Sequence, residues 1–201
     1  MSDTTSAPRG AVRPGGRSAR VGAAVREAAA DLVRERGPDT LTIPAVAERA
    51  GVNPTTIYRR WGDVHTLLAE VAVTHLTAPD ALEDQGTLRG DLIEWIHAVV
   101  DRVGGPDGAA YLRTVVNVVA ERVEGGRDPR EACVVNRRAQ VEELIGRARA
   151  RGEVVTVTAA DLVDHVLAPI YYRVLFATGP VTHEVGEALV ERVLERAPVA
   201  A

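Results

Sequence analysis

The sequence predicts an all-α protein of about nine helices, and three observations carry the prediction. Apolar residues recur at three- and four-residue spacings along most of the chain. These runs stop at Gly37-Pro38, Gly104-Gly105-Pro106, Gly125-Gly126 and Gly179-Pro180, and no stretch reads as a strand. Hydrophobic residues make up 46% of the chain but aromatics only 3%, so its core must be packed from Leu, Val and Ala, as in a helical bundle.

Residues 1–19 are rich in Ser, Thr, Gly, Pro and Arg without apolar period, and they read as disordered. Arg9, Arg13 and Arg17, with Arg20, make this stretch either a solvated tail or a basic arm that orders along DNA. A first helix, about Ser18 to Arg36, carries Val21, Val25, Ala28, Ala29, Leu32 and Val33 on one face.

Thr42 can cap a second helix, and Gly51 gives the backbone freedom to leave it. Asn53-Pro54 then restarts the chain: Asn is a good cap, and Pro at the first helical position loses no hydrogen bond. This third helix, to about Trp61, is too short to stand alone. Ile57 and Trp61 give it an inward face. Thr55, Thr56, Tyr58, Arg59 and Arg60 remain outside, as hydroxyls, a phenol and guanidiniums suited to phosphates and base edges. An ordinary solvated hairpin is the plain alternative. The joint pattern of cap, Gly turn, Asn-Pro restart and Thr/Tyr/Arg face favours a helix-turn-helix.

Asp63 can cap a fourth helix to about Leu76, and Pro79–Gly86 reads as a loop and domain boundary. Further helices are expected over Leu88–Val103, from Asp107 to about Glu124, and from Asp128-Pro129 to about Arg151. Thr158 can cap the next, to about Thr178, with Pro169 bending it. Thr182 caps the last, to about Arg196. The expected division is a disordered arm (1–19), a DNA-binding domain (20–78) and a second helical domain (87–197).

The formal charge of -4 does not itself suggest a nucleic-acid partner. Residues 1–75, however, hold 10 Arg against 8 acids, whereas residues 76–201 hold 14 Arg against 20 acids. The basic excess therefore lies with the helix-turn-helix. A lone Cys133, no apolar run near 18 residues and no secretory signal point to a cytoplasmic protein with no membrane span.

Over Arg20–Leu76 the sequence resembles the DNA-binding domain of the TetR family of transcriptional regulators. The matching stretches are VREAAADLVRERG, LTIPAVAERAGV, TTIYRRW and a following helix with Leu67-Leu68. The resemblance implies a two-fold homodimer on a pseudo-palindromic operator in double-stranded DNA. Each subunit would set its short third helix in a major groove, with an all-helical sensing domain behind. Implied contacts are Thr42, Asn53, Thr55, Thr56, Tyr58, Arg59 and Arg60. Many members carry Lys at the start of the fourth helix; here Val64 stands there, and His65 or the helix N-terminus can replace that phosphate contact.

LAPIYYRVL resembles the sensing domains of one TetR subgroup, and the last two helices are apolar on more than one stripe. The expectation is an isologous four-helix interface through Val166, Ile170, Val174, Leu189 and Val193. Trp95, Tyr111, Asn117, Cys133, Asn136 and Tyr171, with His97 and His165, are polar or aromatic residues that can line an effector pocket among helices five to eight. The apolar surroundings suggest a hydrophobic small-molecule effector. No metal, cofactor or nucleophile motif is present, so the chain reads as a ligand-responsive regulator, most simply a repressor, and not as an enzyme. The alternative is a helical-bundle carrier or enzyme whose first domain no longer binds DNA.

Overall fold

The computed structural model describes residues 16–78, 82–105, 107–117 and 128–196. The described residues form helices and loops only, in the order α1 (Gly16–Arg36), a 3-10 turn (Pro38–Thr40), α2 (Ile43–Ala50), α3 (Pro54–Trp61), α4 (Val64–Leu76), α5 (Leu88–Gly104), α6 (Gly108–Asn117), α7 (Pro129–Ala150), α8 (Ala159–Leu162), a π-helical turn (Val163–Leu167), α9 (Ala168–Phe176) and α10 (His183–Arg196). Helix α8, the π turn and α9 run on as one rod, so nine rods are described, the all-α architecture that the apolar spacing predicts.

Two boundaries differ from expectation. Helix α1 starts at Gly16, so residues 16–19 are helical and not a disordered arm; residues 1–15 lie outside the described residues. Helix α6 is described to Asn117, and the rest of its expected span falls among residues not described. Pro169 does not simply bend its helix. A proline ring collides with the carbonyl four residues back, and the chain widens into a π turn ahead of it, the Ala168 amide bonding to Val163 O.

Helices α1–α4 form a head whose core is Val25, Leu32, Val46, Ile57, Trp61 and Leu67. Helix α4 belongs to both halves, packing on α1 and α3 and also on α5, α6 and α7. Its C-terminal cap, Thr77, is held from α7: Gln140 Nε2 donates to the Thr77 carbonyl at 3.0 Å, and Asn136 Nδ2 to the Thr77 hydroxyl at 3.0 Å. The start of α5 is pinned by Asp91, which is fully buried and accepts from the Gln85 amide and Arg151, both at 2.9 Å. Helix α10 lies along α5, where the His97 and His183 rings stack at 4.1 Å. Each imidazole meets a carboxylate of the facing helix, His97 with Glu187 at 2.6 Å and His183 with Asp101 at 2.7 Å.

At the junction of head and body, His75 of α4 stacks on Tyr111 of α6, centroids 4.3 Å apart. His75 remains exposed to solvent, but its partial burial, and then the Arg102 charge, hold its pKa below the ordinary value against the opposing pull of Asp107. The unfolded chain therefore takes up the proton more readily, so this group favours folding less as pH falls through about 6.5. His75→Gln should flatten the loss of stability between roughly pH 7 and pH 5, as read by urea unfolding. An unchanged slope would mean the ring is not held this way.

Candidate nucleic-acid interface

The turn between α2 and α3 is built from local bonds. Thr42 Oγ1 accepts from the Ala45 amide at 3.4 Å, and Gly51 takes a left-handed φ of 65° that lets the Val52 amide reach back to Ala47 O at 3.0 Å. Asn53 Oδ1 then accepts from the Thr55 amide at 2.9 Å, with Pro54 beginning the helix. Thr42 and Asn53 are exposed, but their side-chain oxygens serve as caps.

Helix α3 is braced from behind. Ile57 and Trp61 are buried, and Trp61 Nε1 donates to Glu70 Oε2 at 2.5 Å, while Glu70 Oε1 accepts from Arg26 at 2.8 Å. One carboxylate thus ties α3 to α4 and α1, fixing the angle at which α3 leaves the head. The two partners sit 9 and 44 residues away, so no local pattern announced this clamp.

The outward face divides in two. Tyr58 is 51% exposed, Thr55 and Arg59 are exposed, and Thr56 is half-buried beside them. No bond to another described residue engages the Arg59 guanidinium. Arg60 is different: its Nη1 donates to Ser18 O at 3.2 Å, and its guanidinium lies 4.9 Å from the Trp61 ring. It rests over Gly22, where an added Cβ would stand 2.5 Å from Nη1. Arg60 therefore braces α1 against α3, and Arg59 is the guanidinium left pointing away. The signal was in the spacing, since positions 57, 60 and 61 share one side of a helix.

Asp63 Oδ1 caps α4 through the Thr66 amide at 2.8 Å. His65 is exposed and borders a cleft of about 470 Å³ between the head and α6, with Asp39, Arg113 and Asn117 among its other walls. Arg49, two residues before the Gly51 exit, is forked onto Glu35 at 2.5 and 2.7 Å.

The expected effector residues do not converge on one cavity. Asn117 is exposed on the 470 Å³ cleft, and Tyr111 borders a separate one of about 290 Å³ between α1, α4 and α6. His97 is engaged on the α5–α10 seam, and His165 is exposed on the π turn. The other four gather around a residue that the sequence reading missed, Arg137. Its Nε donates to Tyr171 Oη at 3.2 Å, its Nη1 to Gln140 Oε1 at 2.9 Å, and its Nη2 to the Leu76 carbonyl. Trp95 Nε1 donates to the same Gln140 oxygen at 3.4 Å, and Asn136 holds Thr77 one residue beyond Leu76. Cys133 lies beside Tyr171. Burial pushes the Cys133 thiol and the Tyr171 phenol up, keeping both neutral.

The dimer expectation also needs correction. Val166, Ile170, Leu189 and Val193 are buried within the protomer itself, in a core shared with α5 and α7, and Val174 is half-buried against it. A helix sandwiched by its own chain shows the same excess of apolar stripes as one shared with a partner. The surplus that faces outward is one helical step away: Tyr172 is 55% exposed and Phe176 65%, their rings 4.8 Å apart.

Two family models match. Residues 25–71 match bacterial regulatory proteins of the tetR family, and residues 82–193 match the tetracyclin repressor-like C-terminal domain. The HTH-type transcriptional regulator AqdR of Rhodococcus erythropolis is 34% identical over 148 residues, covering 73% of this chain and 70% of that protein. An uncharacterized HTH-type transcriptional regulator of Mycobacterium bovis, Mb1581, is 28% identical over 170 residues, covering 81% and 80%. The crystal structure of the TetR family transcription regulator SCO0332 superposes with a TM-score of 0.69 at 27% identity, covering 88% of this chain and 97% of that one.

Proposed function

Because this chain belongs to the TetR family of helix-turn-helix transcriptional regulators, we propose that it is a repressor that grips a pseudo-palindromic operator as a homodimer and lets go when a small hydrophobic effector binds. The observation that carries the reading is helix α3. It is braced by Ile57, Trp61 and the Glu70 clamp, and it turns Thr55, Tyr58 and Arg59 outward. Residues 16–78 would read DNA, and residues 82–196 would sense the effector and dimerise.

Arg59 is the best placed to fork onto a guanine edge, with Thr55, Thr56 and Tyr58 on bases and phosphates and Asn53, Thr42 and His65 near the backbone. Two such heads on a two-fold axis would reach successive major-groove faces about 34–36 Å apart. An effector that binds better to a dimer with mis-spaced heads lowers DNA affinity by linkage.

The dimer would close through the Tyr172 and Phe176 face of α9 and the neighbouring outer side of α10. Replacing both aromatics, Tyr172→Glu with Phe176→Glu, should give a folded monomer in sedimentation and weaken operator binding by more than a hundredfold, since a single half-site loses the second head. A persisting dimer would place the interface elsewhere. Leu189→Arg with Val193→Arg cannot serve this purpose, because buried guanidiniums there would unfold the protomer.

A genome-wide binding map in a strain with and without the gene tests the function itself. Peaks sharing an inverted repeat, with neighbouring transcripts rising on deletion, are expected. Transcripts that fall on deletion would overturn repression, and binding without a common sequence would overturn operator recognition.

A further inference from the structure

The Arg137 guanidinium is 1% exposed, and among the described residues only neutral oxygens hold it: Tyr171 Oη, Gln140 Oε1 and the Leu76 carbonyl. That is unusual by the standard of this molecule. Its buried carboxylate, Asp91, is paired with Arg151. Burying a cation costs several kcal/mol unless a compensating charge meets it. Part of that compensation comes from α4, because Leu76 is its last residue and a helix C-terminus presents about half a negative charge. Among the described residues no carboxylate supplies the remainder, and burial keeps Tyr171 and Cys133 neutral.

We propose that Arg137 is the anchor of the effector site and that the effector is an acid, a carboxylate on an apolar body. This rests on the reading of the chain as an effector-released repressor and specifies the chemistry of that effector. Half-buried Tyr171 and Gln140 bond to the guanidinium, and buried Trp95 donates to that same Gln140 oxygen. A carboxylate accepts a forked pair of bonds from a guanidinium and adds the full opposite charge that a neutral carbonyl lacks. It therefore competes with Leu76 O for Arg137.

The consequence runs along α4. With Leu76 O released, the hydrogen bonds from α7 to the end of α4 among the described residues are those of Asn136 and Gln140, through Thr77 and Ala78. The same helix carries Glu70, which fixes Trp61 and hence α3. The anion site and the DNA-reading helix are thus connected through one rod whose C-terminal latch is the residue the anion binds.

The test uses the full-length protein with octanoate and phenylacetate and their methyl esters. Binding is read by calorimetry, and release of an operator recovered by selection is read by fluorescence anisotropy. The acids should bind at least tenfold more tightly than the esters and weaken operator binding by roughly 5–150-fold. Arg137→Lys should keep the preference for acid at reduced affinity, and Arg137→Met should abolish it. Should a variant fail to fold, the acid-against-ester comparison in the unmodified protein still decides. Esters that bind as tightly as the acids and release the operator overturn the anion site while leaving effector control intact. Acids that bind through Arg137 without changing operator affinity keep the site and overturn effector control. Binding of neither class overturns the site.

Discussion

Arg59→Ala should remove most sequence-specific DNA binding while leaving the fold untouched. A guanidinium forked onto a base edge contributes about 1–3 kcal/mol of discrimination. A two-fold dimer carries two copies, so the loss is roughly twice that. Arg59 is exposed and bound to no described neighbour, so truncation should change stability by no more than about 0.5 kcal/mol. Anisotropy on the selected operator and its single-base variants would show the preference at one symmetric pair of positions relaxing. Equal weakening across all sequences would assign Arg59 to the phosphate backbone. Arg60→Ala makes the contrast: it removes the bond to Ser18 O and the contact with Trp61, and so should loosen α1 against α3 and weaken binding to all sequences together.

The largest loss of stability is expected at Asp91, far from the DNA-reading face. Its carboxylate is fully buried at the first turn of α5 and accepts from both the Gln85 amide and Arg151. Asp91→Ala leaves that amide without its acceptor and takes one carboxylate from a guanidinium that keeps Asp84 and Glu153. Removing one member of a buried ion pair costs about 3–5 kcal/mol, and the surviving partners of Arg151 place this case near the lower figure. Urea unfolding should show the midpoint falling with the slope unchanged. A shift worth less than about 1 kcal/mol would mean that the Asp91 pairing contributes little beyond its own desolvation cost.

What could be read from the sequence was local. The caps at Thr42, Asn53, Asp63 and Thr158 each join a side chain to an amide two or three residues on, and each forms where the pattern put it. The inward pair Ile57 and Trp61 follows from helical spacing alone. The features that escaped are those whose partners are distant. Arg137 meets a carbonyl 61 residues away, and as one of many arginines it carries no mark of burial. Val166, Ile170, Leu189 and Val193 carry the pattern of a subunit interface, yet they are buried within the protomer, because hydrophobicity records that a face is covered, not by which chain. Pro169 announced a defect in its helix, but whether the chain bends or widens depends on what packs around it.

The central claim is that α3, held from behind by its own core, reads base sequence in duplex DNA. Selection from a random duplex pool with the purified full-length chain tests it most directly. The expected product is an inverted repeat whose half-sites lie about one helical turn apart. Binding to it should fall steeply with salt and be lost in Arg59→Ala. Recovery of no common sequence, or of one bound equally well by Arg59→Ala and by Arg59→Ala combined with Thr55→Ala and Tyr58→Phe, would contradict it.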